Sequence, residues 1–189
     1  MPKRTRMPAE ERRSLIVAAA AARFAESGYD GTTLDEIAAD AGVTKPVLYR
    51  HFGSKKDLYL ALLRRHRDDL PGFLDGAADG PPDLEAILDV WFAYARANSH
   101  GWRMLFRDRG GDAEIAAFRG EVQTRARDVL VGWFGAVADP PIPATQLEPT
   151  AEVIRAGLAG LILWWVDHPE AERGDLVAAT VRLLAPIST

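Results

Sequence analysis

Apolar positions recur at three- and four-residue spacing along most of the chain, with no sustained period-two alternation. Ile16, Ala20 and Phe24 stand at i, i+4 and i+8 before Gly28, predicting a first helix over 9–27. Thr33 and Glu36 match a capping box, and Gly42 ends the short helix they open. Thr44 is expected to cap a third helix running to about Phe52. Ser54 with Asp57 opens a fourth, through Leu58, Leu62 and Leu63 towards residue 70. The breaker-rich stretch "PGFLDGAADGPP" (71–82) then marks a seam between a unit over 1–70 and another over 71–189.

Past the seam the stripes lengthen. Leu84, Ile87, Leu88, Trp91, Phe92 and Ala95 define one helix, and a shorter one lies near 99–108. Ile115, Phe118, Val122, Ala126, Val129, Trp133 and Val137 mark a long one. A proline-rich loop is expected over 139–149, then helices over about 150–166 and 170–185. The fold class is all-α, with about nine helices.

Charge divides along the same seam. Residues 1–70 carry 13 Lys/Arg against 10 Asp/Glu, a net of +3; residues 71–189 carry 10 against 17, a net of −7. A basic N-terminal third on an acidic body points to a local polyanion site. No cysteine is present, which removes disulfides and thiol chemistry and fits a reducing cytoplasm. "ERRSLIVAAAAARF" superficially resembles an export signal, but Glu10 and Glu11 precede its arginines and its spacing suits an amphipathic helix. The apolar run 156–166 falls well short of the roughly 20 residues of a membrane span. A soluble, cytoplasmic protein with no membrane partner is expected.

The segment "TKPVLYRHFGSKK" (44–56) concentrates the chemistry. At 100° per residue Leu48 and Phe52 share one side, Arg50 lies opposite with Pro46 and Val47 beside it, and Tyr49 and His51 flank them. Such a helix suits the major groove of B-DNA, with its flanks at the phosphate walls. Pro46 is the second helical residue, where a backbone N–H has no intrahelical partner. Only Val43 separates Gly42 from the cap, so two short helices meet at a tight turn, a helix-turn-helix. Lys55 and Lys56 stand at the start of the next helix, where a phosphate would be favoured.

Residues 28–63, "GYDGTTLDEIAADAGVTKPVLYRHFGSKKDLYLALL", resemble the DNA-binding domain of tetracycline-repressor-type (TetR family) regulators. The matching features are Gly-Tyr, Thr-Thr, Ile-Ala, Ala-Gly-Val, Leu-Tyr-Xaa-His-Phe and Ser-Lys-Xaa-Asp-Leu, in order. The resemblance implies that Thr33 and Thr44 contact phosphates, and that Lys45, Val47 and Arg50 face bases. It also puts Tyr49, His51 and Lys55 on the DNA backbone. Many members carry a basic residue where this chain has Asp35. Lys3, Arg4 and Arg6 read either as a minor-groove arm or as a solubilising tail.

In the second unit, "AGLAGLILWWVDHP" is apolar nearly all round and is expected to be covered on both sides. Gly157, Gly160, Leu161 and Trp164, with Leu176, Thr180, Leu183 and Leu184 of the last helix, are candidates for a four-helix homodimer interface. An intrachain core is the alternative. Two-fold symmetry would match a pseudo-palindromic double-stranded DNA operator. Trp91, Tyr94, Trp102, Phe106, Phe118, Trp133 and Trp164 either line a cavity for a small apolar or aromatic effector or serve as plain core. Asn98, His100, Arg103 and Arg107 are candidate polar partners. No hydrolase elbow, phosphate-binding glycine loop or zinc-protease motif occurs, and the four histidines lack ligand spacing. The expected function is therefore a ligand-responsive repressor rather than an enzyme, with no cofactor or metal. The alternatives are a helical small-molecule binder without DNA recognition, and an activator or architectural binder without an effector.

Overall fold

A computed structural model describes residues 8–69, 83–138 and 141–184. The breaker-rich seam and the basic arm at Lys3, Arg4 and Arg6 lie outside them. The described residues form nine α-helices and one π-helical turn, with no strand. The head comprises α1 (Ala9–Gly31), α2 (Leu34–Asp40), α3 (Lys45–His51) and α4 (Lys55–Asp69). The body comprises α5 (Leu84–Ala97), α6 (Ser99–Trp102) with its π-helical continuation Arg103–Arg107, α7 (Ala113–Val137), α8 (Ala144–Asp167) and α9 (Arg173–Leu184).

Local chemistry sets the head's corners. Helix α1 buries Ile16, Ala20 and Phe24 and breaks at Gly28, whose φ of 71° favours glycine. One further turn follows, tied by the Thr32 hydroxyl donating to the Gly28 carbonyl at 2.8 Å. The α2 capping box is complete: Glu36 N–H donates to Thr33 Oγ1, and Thr33 N–H donates to the Glu36 carboxylate. Gly42, at φ 63°, makes the turn into α3, and Val43 N–H closes it on the Ala38 carbonyl. Ser54 Oγ accepts from Asp57 N–H at 3.0 Å to start α4.

The head's core is not sealed from the body. Ile16, Phe24, Ile37, Leu48, Phe52, Tyr59 and Leu63 belong to one buried cluster with Met104, Leu105, Ile115, Phe118 and Val122. The π turn makes this continuity possible. Its Asp108 N–H bonds the Arg103 carbonyl five residues back, turning Met104 and Leu105 towards the head. Trp102 and Phe106 meanwhile stack on each other, ring centroids 4.8 Å apart. A second cluster joins α5, α8 and α9 through Leu88, Phe92, Ile162, Trp165, Leu176 and Val177.

One boundary and one burial pattern differ from the sequence reading. Helix α8 starts at Ala144, not near 150, and holds Pro149 inside it. Pro149 is its sixth residue, past the N–H groups that lack intrahelical partners, so the Thr145 carbonyl goes without its helical donor there. The "AGLAGLILWWVDHP" stretch is covered on one side only: Ala159, Ile162 and Trp165 are buried, while Trp164 is 47% exposed.

Candidate nucleic-acid interface and cavity

Helix α3 is held from beneath by Leu48 and Phe52, both buried, and by the Phe52 N–H bond to the Leu48 carbonyl. Its outer surface presents Lys45, Pro46, Tyr49 and Arg50, with Val47 and His51 half-buried at the sides. Pro46 occupies the first turn, as its missing donor predicts. Arg50 has no ion-pair partner among the described residues. Lys45 does: its Nζ donates to Asp35 Oδ2 of α2 at 2.8 Å, and Asp35 raises the lysine pKa above its ordinary value. This contact explains what the acidic residue at the α2 position does locally, a role the sequence left blank.

The two threonines diverge. Thr33 has its N–H and hydroxyl both donated to Glu36 Oε2, at 2.8 and 2.7 Å. It is a structural cap, with both of its donors engaged by Glu36. Thr44 is the N-cap by position only. Its hydroxyl makes no capping bond, and α3 starts from its carbonyl, which accepts from Val47 and Leu48 N–H. The Thr44 hydroxyl is thus exposed where Thr33's is consumed.

Lys55 is likewise engaged within the head. Its ammonium donates to the Tyr29 and Thr32 carbonyls at 2.8 and 3.0 Å and sits over the Tyr29 ring. It closes the end of α1 rather than projecting to solvent. Lys56 bridges to the body, pairing with Asp112 and Glu114 at 3.1 and 2.7 Å.

A buried polar knot fixes head to body. Asp108 Oδ2 accepts from Tyr29 N–H (2.8 Å), Tyr59 Oη (2.6 Å) and Arg119 Nη2 (3.0 Å). Arg119 also donates to the carbonyls of Met104 and Gly110. Burial alone would raise the Asp108 pKa. The Tyr59 hydroxyl, the Gly110 and Tyr29 amides and the Arg119 charge outweigh it and hold the carboxyl below its ordinary range. Burial, with Asp108 beside it, pushes the Tyr59 phenol well up. A Cβ on Gly28 would lie 3.0 Å from Asp108 Oδ1, so the close approach requires that glycine. Sequence reading missed this knot. Its one signal was Arg119 between Phe118 and Val122, a charge on the apolar stripe of α7.

The body encloses a cavity of about 170 Å³ between α5, α7 and α8. Of the seven predicted aromatics, Trp91, Trp102, Phe106 and Trp133 line it. Tyr94, Phe118 and Trp164 do not. Phe118 belongs to the core shared with the head, under the Arg67 guanidinium, and Trp164 stacks on His168 at the surface. Helical phase is the reason: residues three apart, such as Trp91 and Tyr94, share a face only approximately. None of the polar candidates Asn98, His100, Arg103 and Arg107 is in its lining. Asn98 donates to the Tyr94 carbonyl, and Arg103 and Arg107 hold Asp167. Arg67, Arg125 and Arg155 stand at the cavity instead, with no carboxylate in its lining. Among the described residues no cluster of three or more histidines or carboxylates could hold a metal, and no helix is long and apolar enough to cross a membrane.

The candidate dimer residues split likewise. Leu176, Thr180 and Leu184 turn inward; the Thr180 hydroxyl bonds the Leu176 carbonyl, and Leu184 reaches the cavity. Leu161 packs half-buried on the second cluster. Gly157, Gly160, Trp164 and Leu183 face outward, joined by Val153 at 72% exposure. A Cβ added at Gly157 or Gly160 meets nothing within 4 Å.

Residues 16–62 match the family model described as bacterial regulatory proteins, tetR family. The chain is 41% identical over 117 residues to the transcriptional activator FasR of Mycolicibacterium smegmatis, covering 59% of this chain but only about half, 53%, of that relative. It is 33% identical to the transcriptional repressor SCO4008 of Streptomyces coelicolor over 143 residues, 73% of each protein. A TetR-like regulator from Rhodococcus superposes with a TM-score of 0.73 at 25% identity, covering 95% and 99% of the two chains. FadR from Bacillus subtilis, solved with stearoyl-CoA, gives a TM-score of 0.70 at 18% identity over 92% and 98%. With the helix-turn-helix geometry of α2 and α3 and a relative matched over nearly three-quarters of its length, the chain belongs to the TetR family of bacterial transcriptional regulators.

Proposed function

We propose that this regulator is a homodimeric, ligand-responsive repressor, acting in the cytoplasm, that binds a pseudo-palindromic double-stranded DNA operator. What carries the reading is the outer surface of α3, where Arg50 stands exposed and unpaired among the described residues on a helix anchored by Leu48 and Phe52. In this reading Lys45, Val47 and Arg50 face base edges. Thr44, Tyr49 and His51 meet the phosphates on either side, and Pro46 stiffens the entry turn. Residues 1–70 read DNA; residues 71–189 bind the effector and dimerise. The outward strip of Val153, Gly157, Gly160, Trp164 and Leu183 supports pairing with a second copy.

The effector is an apolar or aromatic molecule seated among Trp91, Trp102, Phe106 and Trp133. Arg67 and Arg155 at the rim are engaged by Asp68 and Glu152, while Arg125 has no carboxylate partner among the described residues and favours an effector that carries a negative charge; the stearoyl-CoA held by the FadR neighbour is of that kind. An effector that fits better when the two recognition helices are further apart lowers operator affinity through that difference alone. A second reading, activation, is favoured by the name of FasR; a promoter-reporter assay separates the two by sign.

Selection of bound sequences from random duplex DNA tests the proposal. The expected result is two inverted half-sites spaced by about one helical turn. Arg50→Ala then costs about 1–3 kcal/mol and relaxes preference at one position per half-site. No enriched sequence would overturn the reading, and a monomer by light scattering would remove the symmetric operator.

A further inference from the structure

Helix α2 carries Asp35, Glu36 and Asp40 and no cation, although in a helix-turn-helix this element crosses the DNA backbone. Two of its carboxylates are occupied inside the head. Glu36 closes the capping box on Thr33, and Asp40 holds Arg23 of α1 by a two-point contact. Asp35 alone is turned to the recognition helix, accepting from Lys45 Nζ at 2.8 Å. The pair is open to water, with 68% of the Asp35 side chain and 45% of the Lys45 side chain exposed. An exposed pair of this kind contributes little to folding. A pair so weak as a staple, on the face meant for a polyanion, has its main effect on binding.

Resting on the DNA-binding reading above, we propose that Asp35 is a specificity-determining residue. It tethers Lys45 beside the base-reading face and withholds that lysine's charge from non-specific DNA. An ammonium has three N–H donors. With one on Asp35, two remain for guanine O6 and N7, the acceptors a lysine reads in the major groove. A sideways reach to a phosphate breaks the tether and leaves the Asp35 carboxylate unpaired against the negative backbone. Non-specific binding rests on phosphate neutralisation, so the tether weakens it more than binding at a site with guanine under Lys45. Arg50, without a carboxylate partner among the described residues, is not restrained in this way.

The test uses the full chain, its selected operator and an unrelated duplex of equal length, titrated across a salt series. Asp35→Asn keeps the size of the side chain and lies outside the α2 core. It should raise affinity for the unrelated duplex roughly fivefold to tenfold near 0.1 M salt and steepen its log–log salt slope by about 0.9. Operator affinity should rise less, so the ratio of the two falls. Adding Lys45→Met to Asp35→Asn should return the unrelated duplex to wild-type affinity or below. Equal gains on both duplexes, an unchanged slope, or a gain that survives in the double variant would each overturn the proposal. Wild-type protein that binds the two duplexes equally would instead refute the DNA-reading function itself.

Discussion

One ion pair of the head and one that joins body to head act in opposite ways. In the head, Lys45–Asp35 lies on the surface, where a pair contributes little to folding and remains available to an incoming polyanion. In the body, Arg119–Asp108 is sealed, with both side chains under 10% exposed, and its bonds run to Tyr29 and Tyr59 of the head. The same residue types thus tune recognition in one place and fix geometry in the other. Burial decides which.

The largest effect should come from the sealed pair. Arg119→Met leaves Asp108 buried without its counter-charge and two carbonyls without their donor, and should cost about 3–5 kcal/mol in urea unfolding. Lys45→Met, which removes only a solvent-exposed pair, should leave the urea midpoint nearly unchanged. Asp108 gives this contrast a pH signature. Its folded pKa is depressed, so its stabilisation is present above an unfolded value of roughly 3.9 and is lost as pH falls through the lower folded value. The stability gap between wild type and Asp108→Asn should be widest near neutrality and close on acidification below about pH 4. A gap independent of pH would mean that the carboxylate charge is not what holds the knot.

Legibility in the sequence followed the same divide. The head's turns are made by residues whose backbone chemistry is local: Gly28 and Gly42 at positive φ, the Thr33–Glu36 box, Pro46 in a first turn. Each can be read from a few neighbours, and the buried phase of α3 came out right at Leu48 and Phe52. The body's site depends on which long-range neighbours meet. Nothing near Trp133 or Trp164 says that one turns to a cavity and the other to solvent, and only tertiary packing separates them. The internal engagement of Thr33 and Lys55 was hidden for a related reason. A motif names a residue type at a position, but the head had already engaged those donors with Glu36 and with the α1 carbonyls. Arg125 and Arg155 were invisible because they snorkel from positions outside the apolar stripe.

A medium-sized effect is expected at the cavity. Ala126 is half-buried on α7 and lines the space shared by Trp102 and Trp133. Ala126→Phe should fill part of it and weaken uptake of anilinonaphthalene sulfonate, an anionic aromatic probe, by about tenfold, or about 1.4 kcal/mol. Operator binding should be measured on the same variant, since a side chain that fills the cavity as an effector does lowers operator affinity in the proposed coupling. Unchanged dye fluorescence would move the binding site out of this cavity.

Lys55 offers the smallest and most discriminating case, because the two regions' rules make opposite forecasts for it. As a phosphate contact, its removal would reduce the salt slope of DNA binding by about 0.9 and leave stability alone. As a cap on α1, its removal strips the Tyr29 and Thr32 carbonyls of a charged donor and should cost about 1 kcal/mol of stability with the slope unchanged. The half-buried ammonium over the Tyr29 ring favours the second outcome. Lys55→Met, followed by urea unfolding and a salt titration on one operator, separates them. A lowered urea midpoint with an unaltered slope would put this basic side chain with the interior pairs that fix geometry. It would leave Lys45 and Arg50 as the cations of the 44–56 segment that face DNA.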